Sequence, residues 1–179
     1  LGCQEYGISK TLEHVGDTGG PPSPEGRAGD VSVIWDLMIH DIDIAVTLAG
    51  TDAKAHGEGR RHHTPHIDEA VADLEFPSGA SAVIKASRAA PERRRAMTVT
   101  YPSGTISVDF LTRKVENSTP YTIRADVSEV LPDSLGAADE AFFAACLGER
   151  PTPIPGREAA EAVRLAELIE QTALQTIGA

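Results

Sequence analysis

Apolar positions recur with a helical period toward the two ends of the chain and alternate with polar ones through its middle. From about Gly156 to Ile177, the residues Ala162, Leu165, Ala166, Ile169, Ala173 and Ile177 fall on one face and charges on the other, which predicts a long amphipathic helix. A shorter helix is expected from Ser134 to Leu147, with Leu135, Ala138, Phe142 and Ala145 on one face, Asp133 as its cap and Gly148 as its stop. A third runs from about Val31 to Ala49, with Asp30 or Ser32 as cap and Gly50 in the C′ position.

Between the helices the period drops to two. The runs AKAHGEGR, EAVADLEF, ASAVIKASR, AMTVTY, TISVDF and PYTIRA read as short strands, and PSG at 77–79 and again at 102–104 supplies two hairpin turns. Strands joined by such tight turns are antiparallel, so a meander of five or six strands is expected. Residues 1–15 are partly extended, with Tyr6, Ile8 and Leu12 on one alternating set. The Gly/Pro-rich stretch 16–30 holds no regular element and is long enough for a binding loop or lid. The expected fold is α+β: an open, mainly antiparallel sheet with helices packed on one face, in a single domain over residues 1–179.

Composition narrows the function. Sixteen basic residues against 27 acidic ones leave a net charge of -11, a field that would repel a nucleic-acid backbone. No apolar run is long enough to span a membrane and no signal-peptide pattern is visible, so a cytoplasmic location is expected. Cys3 and Cys146 form no framework or metal spacing.

The helix over 31–49 does not fit a purely structural role. It is apolar over most of its circumference, yet it carries Asp36, His40, Asp41 and Asp43. At about 100° per residue, His40 falls about 40° from Asp36, Asp43 about -20° and Thr47 about 20°, while Asp41 stands apart at about 140°. Asp36, His40, Asp43 and Thr47 therefore form one narrow polar stripe. Buried carboxylates need partners or a cavity. A carboxylate one turn from an imidazole can orient it and stabilise its charged form, as a general acid/base requires. The same pair satisfying only itself is the competing structural reading.

These residues, in DVSVIWDLMIHDIDIAVTLAG, resemble the signature helix of the Gfo/Idh/MocA oxidoreductases, with its Asp-x-x-x-His core and following Asp-x-Asp. DLEFPSGASAVIKASR and DEAFFAACLGERPTPIPGREAAEAVRLAELI are similar to that family's C-terminal domain, so the resemblance spans nearly the whole chain. It implies a two-domain enzyme in which an N-terminal Rossmann domain binds NAD or NADP and the C-terminal domain supplies substrate contacts. His40 would be the acid/base on a substrate hydroxyl or carbonyl, and Asp36 would orient it or bind substrate. Asp43 on the same stripe would contact substrate; the Arg-rich segment 88–95 reads either as a solvated turn between two strands or as an anion site, in which Arg88 and Arg94 would contact substrate. That segment is similar to the branch of UDP-N-acetylglucosamine 3-dehydrogenases, where a diphosphate would lie against guanidinium forks. The implied reaction moves hydride between a nicotinamide and an oxygen-bearing carbon of a sugar, nucleotide sugar or cyclitol.

The chain departs from the family in lacking a Gly-x-Gly-x-x-Gly turn and a Glu-Lys-Pro segment, both of which belong to the N-terminal half. The chain opens on Leu1 and not Met, so the dinucleotide-binding domain is expected to be missing and the chain alone inactive. Homodimers or homotetramers through the open sheet face are implied. A scaffold without chemistry and a metal-dependent phosphohydrolase, suggested by His40–Asp41, are the alternatives. No metal site is expected: His62 and His66 are four apart, but Pro65 between them opposes a ligand-presenting helix, and a polar loop fits His62, His63 and His66 better.

Overall fold

The computed structural model describes residues 9–15 (backbone only), 29–128, 130 and 133–177. Tyr6, Ile8 and all but the last two residues of the expected loop over 16–30 lie outside the described residues. Seven strands form one sheet: β1 (Ser9–Val15), β2 (Lys54–Arg60), β3 (Glu69–Glu75), β4 (Ser81–Ser87), β5 (Arg94–Tyr101), β6 (Gly104–Asp109) and β7 (Lys114–Asn117). A π-helical turn (Ile34–Met38) runs into α1 (Ile39–Ala49); α2 (Ser134–Cys146) and α3 (Gly156–Ile177) follow the sheet.

The strand order is β2-β3-β4-β1-β5-β6-β7. The tight hairpins appear as expected: Gly79 accepts a positive φ of 81° between β3 and β4, and Gly104 one of 141° between β5 and β6. The simple meander does not. β1 is inserted between β4 and β5, parallel to β4 and antiparallel to β5, and this one parallel pair makes the sheet mixed. PYTIRA forms no strand, and the isolated bridge between Lys114 and Asp126 falls on the residue just after it. Residues 114–117 take the edge place instead. Asp109 Oδ1 accepts from the backbone N–H of Leu111 (2.8 Å) and Thr112 (2.9 Å), turning the chain back onto β6 before PYTIRA begins.

Small residues on one sheet face bring the helices close. Ala70, Ala72, Ala82, Ile84 and Ala86 are buried there, against Ile34, Met38, Ile42 and Val46 and against Ala162, Leu165, Ala166, Ile169 and Ala173 of α3. The α3 face is the one its period predicts. α3 lies directly over β2. Its approach requires Gly57, where an added Cβ would stand 2.7 Å from the Ile169 carbonyl oxygen. The outer edge of β2 is strapped by the same helix, since the Gly57 N–H donates to Thr172 Oγ1 at 2.8 Å. A second tie holds the α1–β2 connection: Glu161 accepts from the Asp52 N–H (2.9 Å) and from Arg164 Nε (2.8 Å) and Nη2 (2.7 Å), and Arg164 Nη2 also reaches the Ala53 carbonyl (2.8 Å).

Two local expectations fail for tertiary reasons. Neither Asp30 nor Ser32 caps the α1 segment. The Ser32 hydroxyl donates instead to Glu170 of α3, which ties the two helices together. α2 is capped by Asp133, which accepts from the Gly136 N–H at 2.9 Å, but none of its residues is buried. Leu135, Phe142 and Phe143 are exposed, so the face expected to join the core does not. The helix layer covers β2, β3 and β4, whereas Met97, Ile106, Val108 and Val115 on the β5–β7 side remain half-buried.

Candidate active site

The polar stripe of the opening helix reaches solvent. His40 and Thr47 are exposed and Asp36 and Asp43 are half-buried, while Ile34, Met38, Ile42, Ala45 and Val46 on the other sides are buried. Asp41, off the stripe, is buried. The π-helical turn lies beneath Asp36, at the start of the stripe. Such wider turns are frequent at functional sites because they re-aim side chains without ending the helix.

Asp36 is paired with Arg88, a residue 52 positions further along the chain. Arg88, the residue after β4, is only 8% exposed. Its Nη2 donates to the carbonyl of Val31 at 2.8 Å and stands 3.7 Å from Asp36 Oδ2, while Nη1 stands 3.9 Å from Asp68 Oδ1. Arg88, expected from the sequence to contact substrate, lies among groups of the protein itself. The guanidinium is turned inward, because three groups of the protein already draw it there.

Asp68 was missed by sequence reasoning. It is fully buried, and its Oδ2 accepts from the backbone N–H groups of His62 (2.8 Å), His63 (2.8 Å) and Thr64 (2.9 Å), with Thr64 Oγ1 donating to Oδ1 (2.8 Å). Burial alone would raise its pKa. The hydrogen bonds from His63, Thr64, His62 and the Thr64 hydroxyl outweigh that and lower it from 3.8 to about 2. An acidic residue following Thr-Pro-His-Ile is the signal that was available, since Asp side chains fold short loops onto themselves.

The loop of histidines is thus a polar connection between β2 and β3. His62 and His63 have ring centroids 6.1 Å apart, and His62 Nε2 stands 3.9 Å from Glu69 Oε1. Among the described residues no three His, Cys, Asp or Glu side chains converge as a metal would require. An open hollow of about 600 Å³ beside this loop is lined by Arg60, Arg61, His62, Glu69 and Thr176, and no residue of the His40 stripe borders it.

The structure does not bring Arg94 to the stripe. Ser87 pairs with Val15 and Val15 with Arg94, so Arg88 and Arg94 belong to the same end of the sheet, about 10 Å apart across β1. By that register Arg94 lies on the helix-free face, where its charge helps to lower the pKa of Asp109, after the hydrogen bonds from Thr112 and Leu111. Nor do the described residues form a strand, glycine-rich turn and helix that would cradle a diphosphate.

Residues 14–107 match the GFO/IDH/MocA C-terminal domain. The chain is 34% identical over 116 residues to UDP-N-acetylglucosamine 3-dehydrogenase of Acidithiobacillus ferrooxidans, covering 64% of this chain and 35% of that protein. It is 30% identical over 166 residues to scyllo-inositol 2-dehydrogenase (NAD(+)) of Bacillus subtilis, covering 82% of this chain and 47% of that protein. The chain therefore spans about a third to a half of the length of these curated relatives. A solved structure of the Acidithiobacillus ferrooxidans enzyme superposes with a TM-score of 0.77 at 25% identity, over 98% of this chain and 56% of that one. The WlbA dehydrogenase of Bordetella pertussis, solved with NADH and UDP-GlcNAcA, shares the fold, with a TM-score of 0.76 at 15% identity over 95% of this chain and 54% of that one.

Proposed function

Because the chain belongs to the GFO/IDH/MocA family through that family's C-terminal domain, we propose that it is the substrate-side half of an NAD- or NADP-dependent dehydrogenase. Its substrate is a hydroxyl- or keto-bearing carbon of a sugar, nucleotide sugar or cyclitol. Relatives named as dehydrogenases of UDP-N-acetylglucosamine and of scyllo-inositol support the substrate class.

The observation that carries this reading is His40. It is exposed on a helix whose opposite side is buried, one turn from a carboxylate that a buried guanidinium attends. In the oxidative direction His40 takes the proton from the substrate hydroxyl, and in the reductive direction it returns it. Asp36 orients the imidazole. Asp43 continues the stripe as a substrate contact. The dinucleotide, which supplies the redox chemistry when bound, would be held by a separate nucleotide-binding half, and the chain alone is inactive. Two or four copies assemble through the helix-free sheet face, where Arg60 lies opposite Glu69 and Lys54 opposite Glu75.

The test is His40→Ala in the dehydrogenase that contains this chain. The expected loss in kcat is about 100-fold or more, the contribution of a general acid/base. An unchanged kcat removes His40 from the chemistry, and with it the catalytic reading over a scaffold.

A further inference from the structure

We propose that Arg88 is a positioning residue, which acts through Asp36 and does not touch the substrate. This rests on the reading of Asp36 and His40 as the working pair.

Arg88 joins three parts of the fold that sequence separates widely. Its backbone N–H donates to the Asp68 carbonyl at 2.9 Å, fixing its own place after β4. Its Nη2 holds the Val31 carbonyl at the entry of the π-helical turn and faces Asp36, while its Nη1 faces Asp68. The two carboxylates differ in what else they have. Asp68 is fully buried and takes four protein donors, so its place does not depend on Arg88. Asp36 is one-third exposed and has Arg88 as its ion-pair partner.

A guanidinium suits this post because its planar fork presents separate nitrogens to two carboxylates and a carbonyl, where an ammonium offers one compact point charge. Among the described residues its Nε and Nη1 make no hydrogen bond, so the charges of Asp36 and Asp68 are what compensate its burial. Without the cation, two carboxylates are left near each other with no counter-charge. Asp36, the more exposed, is the one free to swing into water, away from its place one turn before His40. A substrate anion would reach Arg88 only by displacing Asp36.

The experiment uses the complete dehydrogenase with Arg88→Met and Arg88→Lys, each alone and combined with Asp36→Asn. Arg88→Met is expected to lower kcat by about 10- to 100-fold with KM changed by less than about 3-fold, the signature of lost transition-state interaction. Arg88→Lys, which keeps the charge but not the fork, is expected to lose only about 3- to 10-fold. In the Asp36→Asn background either change should alter kcat by less than about 2-fold, because the path through Asp36 is already cut. A KM rise of about 10-fold with kcat retained would make Arg88 a substrate ligand and overturn the proposal. So would losses that simply multiply in the double variants. If Arg88→Met fails to fold, the Arg88→Lys and Asp36→Asn cycle decides the same point. His40→Ala separates the two readings: retained turnover there sinks the catalytic pair, whatever the coupling between Arg88 and Asp36.

Discussion

The carboxylate of Asp68 accepts the backbone N–H of His63 at 2.8 Å, and the same oxygen takes those of His62 and Thr64. Three consecutive amides thus converge on one buried side chain, which closes the β2–β3 connection and stands beside the Arg88 guanidinium. With a folded pKa of about 2 against an ordinary 3.8, Asp68 binds protons less readily folded than unfolded. Its stabilisation is therefore complete above pH 3.8 and is lost as pH falls toward 2. The size is about 2 kcal/mol. Urea unfolding of Asp68→Asn should show at least that deficit at neutral pH, closing as acid titrates the wild-type carboxyl. A deficit independent of pH across this window would contradict the assigned cause.

Gly57 is required by contact, not by backbone conformation. A methyl at this position meets the Ile169 carbonyl oxygen at 2.7 Å, and a helix backbone cannot rotate aside as a side chain can. Gly57→Ala should destabilise the chain by about 1–3 kcal/mol, as overpacking does. Thermal melts read this as a lowered Tm, with exposed Glu58→Ala on the same strand as the control. Equal melting of Gly57→Ala and wild type would show that α3 does not sit on β2 as closely as described.

Glu161 and Arg164 tie α3 to the α1–β2 connection through a forked ion pair. The Arg164 hydrogen bond is the largest cause holding the Glu161 pKa below its ordinary 4.5. The contribution is present above that value and fades as pH falls through the lower folded one. Because Arg164 is about half exposed, the pair itself is worth about 1 kcal/mol or less. Glu161→Ala should cost more than Arg164→Ala, since it also removes the acceptor of the Asp52 N–H. A double-mutant cycle measures the coupling, and the reverse order of the two single losses would refute this account.

If copies of the chain pair through the helix-free sheet face, a charge at its centre should separate them. Val83 lies on β4 between the buried Ala82 and Ile84, on the side away from the helices. Val83→Asp is expected to shift sedimentation of the complete protein to the smaller species while leaving its far-UV circular dichroism unchanged. An unaltered assembly would place the interface elsewhere.

Much of this protein was legible in sequence because its determinants are local. The face of α3 follows from the three- and four-residue spacing of Ala162 to Ala173, the hairpins from Gly79 and Gly104, and the stripe of Asp36 and His40 from the helical period. These features depend on neighbours within a turn or two of the chain. The tertiary structure alone decided the rest. β1 enters the sheet between β4 and β5 because its partners are some seventy to ninety residues away, and no local pattern records that register. Ser32 abandons its cap for Glu170, and Arg88 turns inward to Val31, Asp36 and Asp68, because burial lets charges and hydroxyls choose partners by proximity in space. Side-chain period is inherited from the backbone helix or strand. The counter-charge a buried group finds is set only when distant segments close around it.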